Sequence, residues 1–289
     1  MRAFEVVRPG ALTTVQDGGR PGYAHLGVPR SGALDGAAHT LANRLLGNPP
    51  RTAVLETTLD GVGLRALAGP LLVAVTGAPC AVRVCGRAAP WGAPVLLRAG
   101  AELSVGRAEQ GVRSYVAVRG GFAVEPVLGS RSTDLLSGLG PPVLTAGALL
   151  PVGPPGPDPV AGVDTPATPG PPSELVLPLR LGPRADWFDA ESLTNRLLRA
   201  RYRVSPASNR IGLRTEAGPP LTRARSGELP SEGMVLGAVQ VPPDGYPVVF
   251  LADHPVTGGY PVVGVVPPGP ALDAAAQAGP GVAVRFVQR

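Results

Sequence analysis

The chain has 289 residues, with 26 basic and 21 acidic side chains and a formal net charge of +5; every basic residue is arginine. Without lysine it can hold no Walker A phosphate loop, no side-chain Schiff base and no biotinyl or lipoyl group. A mean hydropathy of +0.17, no apolar run near the ~20 residues of a membrane span, and the polar start MRAFEVVRPG predict a soluble, cytoplasmic protein. The positive charge is a weak sign of nucleic-acid binding. It accompanies abundant Ala, Gly and Pro, as in a GC-rich coding sequence, and no aromatics interleave with the arginines to stack on bases.

The segment from Leu12 to Asn48 is the most informative. Thr14-Val15-Gln16-Asp17-Gly18-Gly19-Arg20 reads as a strand end running into a glycine turn, where positive φ and close backbone approach are allowed. Arg20 offers a planar fork for a carboxylate or phosphate. Leu34, Ala38, Leu41 and Leu45 recur at helical spacing, predicting a helix near 33–46 with Ser31 as N-cap and Gly47 just past its end. Asp35, His39 and Asn43 fall at i, i+4 and i+8. They form either a solvated helix face or a stripe in which Asp35 orients the imidazole or holds it protonated.

Short β-runs follow: Leu71–Thr76, Pro94–Leu97, Glu102–Val105 and Arg113–Val118, bounded by Gly and Pro turns. Cys80 and Cys85 read as buried free thiols. Gly129-Ser130-Arg131-Ser132-Thr133 combines hydroxyls, amides and an arginine after glycine, a pattern that fits an anion-binding loop or a hydroxyl-rich turn. Residues 151–172 hold nine prolines. Such a segment cannot be helix or central strand, and reads as an extended linker between 1–150 and 173–289.

The second half repeats the style with Glu174–Leu181, Pro247–Leu251, Pro261–Val266 and Val282–Val287. Helices are predicted over Asp186–Ala200 and Ala271–Gln277. If helical, Arg196, Arg199 and Arg203 would share one face, a solvated one. Polar groups beside glycine recur at Ser208-Asn209-Arg210-Ile211-Gly212, Ser231-Glu232-Gly233, Gln240 and Asp253 to Pro261, where binding loops sit on a β scaffold. Val15-Gln16 before Asp17 is echoed by Val239-Gln240 before Asp244. The strand spacing predicts a mainly β fold of barrels or sandwiches. No G-x-S-x-G or H-E-x-x-H occurs, and three scattered histidines leave little for a metal site.

The motifs TTVQDGGRPG, GVPRSGALD, LANRLLGN, the Leu55-Glu56-Thr57 step, RSYVAVRGG, GSRST, SNRIG, SEG, GAVQVPPDG and TGGYP run in order from Leu12 to about Pro261. With them the chain resembles the allophanate hydrolase subunit 2 family, also called the biotin-dependent carboxyltransferase family. It departs from the family pattern at Gly140-Pro141, Gly147-Ala148, Arg214-Thr215 and His254. The resemblance implies two cyclophilin-like β-barrel subdomains with a few short helices, at 1–150 and 173–289. It implies the C subunit of an ATP-dependent 5-oxoprolinase, which opens 5-oxoproline to glutamate with a kinase-inhibitor-like B subunit and an A subunit. ATP would be shared with those partners. Two other readings stand beside it: a carboxyltransferase subunit acting on urea or a similar amide, with carboxybiotin, and a non-catalytic regulator that binds a kinase-inhibitor-like partner.

Carried over position by position, the resemblance points to Asp17, Asp35 and Ser31 for catalysis. For substrate binding it points to Gln16, Arg20, Asn43, Arg131, Ser132, Asn209, Arg210, Ser231, Gln240, Thr257 and Tyr260. Arg20 or Arg131 would clamp the substrate carboxylate, and Asp17 or Asp35 would position or deprotonate the lactam nitrogen.

Overall fold

The computed structural model describes residues 2–160 and 173–289. The end of the Pro-rich segment, 161–172, lies outside the described residues. The chain separates into two compact units. Unit 1 takes residues 2–20, 31–134 and 138–160; unit 2 takes 21–30, 135–137 and 173–289.

Unit 1 carries β1 (Ala3–Arg8), β2 (Thr13–Gln16), β3 (Val54–Thr58), β4 (Gly63–Ala66), β5 (Leu71–Gly77) and β6 (Cys80–Val84). It continues with β7 (Arg87–Ala89), β8 (Val95–Leu97), β9 (Glu102–Ala108), β10 (Arg113–Val118) and β11 (Leu149–Pro151). They pair as a six-stranded sheet, β11-β1-β4-β9-β6-β7, and a five-stranded sheet, β2-β3-β10-β5-β8. The expected pair of barrels is therefore met by one: the strands of unit 1 form two separate sheets. Residue alternation explains this. Phe4, Val6, Leu64, Leu103 and Val105 of the first sheet share one core with Leu55, Val73, Val75, Val116 and Val118 of the second. The sheets thus face each other across a common apolar layer, as in a sandwich.

The outer face of the five-stranded sheet is also covered. Helix α1 (Gly36–Leu45) lays Ala38, Ala42 and Leu45 on Val54, Ala74, Tyr115 and Ala117. This is why β10 is buried at every position: Val116 and Val118 face the sandwich, and Tyr115 and Ala117 face the helix. Gly47 ends the helix region at φ +64, where any Cβ would press on the carbonyls of Asp158 and Pro159. The described part of the Pro-rich segment lies along unit 1. Pro151 is in an edge strand, Val152 bridges to Phe122, and Arg2 and Arg119 donate to the carbonyls of Gly153, Gly156 and Asp158.

Unit 2 is built on a closed barrel. It contains β12 (Glu174–Leu181), β13 (Tyr202–Val204), β14 (Gly212–Glu216), β15 (Glu232–Gly233), β16 (Ala238–Gln240), β17 (Val248–Phe250), β18 (Thr257–Gly258), β19 (Val262–Val265) and β20 (Ala283–Gln288). The closed order is β12-β19-β16-β17-β14-β13-β20, with β15 and β18 forming a separate ribbon. Leu175, Leu177 and Leu179 point inward at every second position of β12, and Val284 and Phe286 do the same on β20. Helix α2 (Pro270–Gln277) starts with proline at its first turn, where a missing N–H costs nothing.

Three sequence expectations are corrected. The helix over Asp186–Ala200 is two short pieces, a 3-10 turn at Pro183–Trp187 and a π-helical turn at Ser192–Leu198. Phe188 between them is extended and bridges to Arg223, which interrupts the helix, and Asp189 restarts it by accepting from the Ser192 amide at 2.6 Å. Arg203 lies on β13, so it shares no helical face with Arg196 and Arg199. Cys85 is exposed, at φ +48 in the turn between β6 and β7; only Cys80 is buried.

Candidate functional site

The glycine turn after β2 and the GSRST loop form one cluster, organised by Asp17. One carboxylate oxygen accepts from Gly19 N (2.8 Å), Ser130 Oγ (2.6 Å) and Ser132 Oγ (2.7 Å); the other accepts from Arg131 N at 2.6 Å. The donors that suggested an anion-binding loop are turned on the side chain of Asp17. Charge-assisted bonds of this kind are about twice as strong as neutral ones. Its acceptor capacity is taken up by these four donors, so Asp17 fixes the loop.

Arg20 is wholly buried beneath this loop. Its Nε donates to the carbonyl of Val127 (3.3 Å), its Nη2 donates to that of Ser132, and Nη1 lies 4.0 Å from Asp134. The fork expected to face a substrate carboxylate therefore holds backbone carbonyls. Ser31 is not the helix cap. It stands at φ +50 and donates its hydroxyl to the carbonyl of Thr133 at 3.0 Å, the same carbonyl that Gln16 Nε2 reaches at 2.9 Å. Arg131 is half-buried, with Nε on the carbonyl of Val124 at 2.7 Å.

The cap of α1 is Asp35, whose carboxylate accepts from Ala38 N at 2.9 Å. Its own amide donates to the Tyr115 hydroxyl (2.8 Å), which donates to Glu56 Oε2 (2.8 Å). The same Glu56 oxygen accepts from Leu34 N at 2.9 Å, and Arg113 Nε lies 3.7 Å from the other. Burial, then the Glu56 charge, pushes the Tyr115 phenol well above its ordinary value, so it stays a neutral relay.

Further along α1 the stripe is buried, not solvated. His39 Nε2 faces the carbonyl of Thr52 at 3.0 Å, and Asn43 Nδ2 donates to it at 2.9 Å; Asn48 Nδ2 donates to Asn43 Oδ1 at 3.1 Å. Burial lowers the His39 pKa, which outweighs the contributions of Thr52, Asp17 and Glu56 in the other direction. The imidazole is therefore held neutral, against the protonated alternative.

In unit 2 the candidates fall in two places. Arg210 is buried and binds Asp253 through Nε and Nη2, both at 2.9 Å. Asp253 also accepts from Leu135 N at 3.1 Å. Neighbouring Asn209 is exposed and closes its own turn, accepting from Ile211 N at 2.8 Å. Elsewhere, the carbonyl of Tyr260 accepts from Gln240 Nε2 at 3.1 Å. A Cβ on Gly258 would meet that same amide nitrogen at 2.7 Å, and a Cβ on Gly259 would sit 3.9 Å from Ser231 Oγ. Thr257 lies on β18, paired with Gly233. Ser231, Gln240, Thr257 and Tyr260 thus gather around the Thr257–Tyr260 turn, with Arg223 Cζ 5.8 Å from the Tyr260 ring centre.

Residues 26–288 match the family model described as "Carboxyltransferase domain, subdomain A and B". The chain belongs to this carboxyltransferase domain family. It is 36% identical over 270 residues to the C subunit of 5-oxoprolinase from Escherichia coli, covering 91% of this chain and 84% of that protein. It is 33% identical to the urea amidolyase of Lachancea kluyveri over 99% of this chain but 17% of that protein. Among solved structures, that of TTHA0988 superposes with a TM-score of 0.87 at 36% identity, covering 99% of this chain. This chain spans 56% of that one, a little over half.

Sequence motifs in this carboxyltransferase-family chain contained Glu56, Arg113, Tyr115 and Asp253 without marking them as partners. Their signal was a charged or phenolic residue inside an otherwise apolar strand or beside a glycine turn. Arg223 stood in no motif and gave no signal. No helix among the described residues is long and apolar enough to cross a membrane.

Proposed function

We propose that this chain is the C subunit of an ATP-dependent 5-oxoprolinase, which opens the lactam of 5-oxoproline to glutamate together with A and B partner chains. The similarity to the C subunit of the Escherichia coli 5-oxoprolinase, extending over most of both chains, carries the reading. The polar loops support it. Both units present fixed turns of hydroxyls, amides and arginine on rigid β frames, as recognition of a small polar molecule requires.

The residues argue for a binding and positioning role. A lactam carbonyl is a poor electrophile, and ATP supplies the driving force by phosphorylating it. The GSRST loop does not fit a nucleotide phosphate: its Arg131 amide and both serine hydroxyls already serve Asp17. We therefore place no nucleotide on this loop, and ATP is shared with the partner chains. On this chain Asp17 and Asp35 hold loops in place, Ser31 and Gln16 fix the carbonyl of Thr133, and Arg131 keeps its two Nη groups for charge that develops during reaction.

The whole-chain similarity to urea amidolyase supports a second reading, carboxyl transfer to urea from carboxybiotin borne on another chain. Co-expression with cognate A and B subunits separates the two. The expected result is ATP hydrolysis that requires 5-oxoproline. Turnover only with urea and a biotinylated carrier would replace the first reading by the second, and silence with both would favour the regulator.

A further inference from the structure

We infer that Arg223, held beside the Tyr260 ring, receives the carboxylate of the substrate and so selects an anionic cyclic amide over a neutral amide. This rests on the 5-oxoprolinase reading, because 5-oxoproline carries a carboxylate beside its lactam and urea carries none.

The arginines differ in whether they have charge to give. Arg20 is spent on the carbonyls of Val127 and Ser132 beside Asp134, and Arg210 is spent on Asp253. Three more stand in unit 2, two of them beside the Thr257–Tyr260 turn: Arg184 through Glu232, which pairs with Gly258, and Arg223 at the Tyr260 ring. Arg184 grips both oxygens of Glu232, and Arg225 pairs with Asp186 at 2.8 Å. Arg223 has no carboxylate partner among the described residues. Its Nη2 donates to the carbonyl of Val241 at 3.1 Å, and Nη1 has no hydrogen-bond partner there.

Its backbone is anchored: Arg223 bridges to Phe188, and Ala224 N donates to the carbonyl of Trp187 at 2.8 Å. The guanidinium is therefore placed by the Phe188 bridge at its backbone and by the Tyr260 ring near its head. At 5.8 Å from the ring centre the guanidinium lies within cation–π range of Tyr260. Nη2 serves the Val241 carbonyl and Nε is buried without a partner among the described residues, which leaves the Nη1 end to receive a carboxylate oxygen. Tyr260 is itself held, since its carbonyl accepts from Gln240. Tyr260 is 44% exposed, so this shelf opens to solvent. Ser231 and Thr257 are exposed and spend no hydroxyl on another described residue, which leaves them for a lactam oxygen or nitrogen.

Two arms test this with Arg223→Gln and Arg223→Lys. In the assembled A, B and C complex, Arg223→Gln is expected to raise KM for 5-oxoproline about tenfold or more while kcat changes far less, with the lysine variant between. In the isolated full chain, titration followed by NMR is expected to show 5-oxoproline binding weakened about tenfold by Arg223→Gln, with 2-pyrrolidinone, the same ring without the carboxylate, bound as by the parent. Unchanged KM, equal loss for both ligands, or a KM effect confined to Arg131→Gln overturns the inference and leaves the proposed function standing. If the parent complex does not turn over 5-oxoproline, the proposed function fails and the titration decides the carboxylate site alone. Absence of 5-oxoproline binding in both arms overturns it.

Discussion

Asp17 accounts for more of the local structure than any other residue in the glycine-turn and GSRST loops. An aspartate that accepts four short hydrogen bonds has two oxygens facing donors only. Asp17→Asn keeps the shape but turns an NH2 toward either the Arg131 amide or the Gly19 and serine donors. One or more buried donors is then unpaired, at about 3 kcal/mol. The urea midpoint should fall accordingly with an unchanged slope. His39 makes a separate prediction. Burial lowers its folded pKa below the unfolded value, so the unfolded state binds the proton more readily. Its contribution is fully present above about pH 6.5 and is lost as pH falls below that value. Denaturant midpoints at pH 7.5 and 5.5 should differ less in His39→Gln than in the parent.

At the scale of elements, α1 decides between two roles for Asp35. Asn caps a helix as well as Asp does, whereas Ala costs about 1 kcal/mol. A cap therefore predicts that Asp35→Asn retains stability and complex activity while Asp35→Ala loses stability. A proton-transfer role predicts a loss of at least about a hundredfold in kcat for Asp35→Asn at unchanged stability. The strands were legible because alternation and glycine punctuation are local: Glu174–Leu181 and Arg113–Val118 are found at the expected residues. The helix over Asp186–Ala200 was not, because Phe188 is drawn out by Arg223, 35 positions away, a pairing that no window of periodicity contains. The same limit applied to the candidate site. Composition marked Arg20 as a fork, but only tertiary packing tells whether a fork meets a ligand or two backbone carbonyls.

At the scale of the whole molecule, each unit pairs its first strand with its last, and in unit 2 that pairing closes the barrel. In unit 1, Ala3 on β1 pairs with Pro151 on β11; in unit 2, β12 pairs in parallel with β20 from Glu174–Ala283 to Leu179–Gln288. The ion pair between Glu174 and Arg285 spans 111 positions. Such closure has a consequence during synthesis. Bringing distant segments together costs loop entropy before any contact repays it. β12 leaves the ribosome with its leucines unshielded and waits for the remainder of unit 2 to be translated before β20 can seal the barrel. Unit 1 is by then complete and free to fold. The chain thus matures in two instalments, and the second exposes one unpaired apolar edge for the time that roughly a hundred residues take to emerge, some 5–20 s at typical elongation rates.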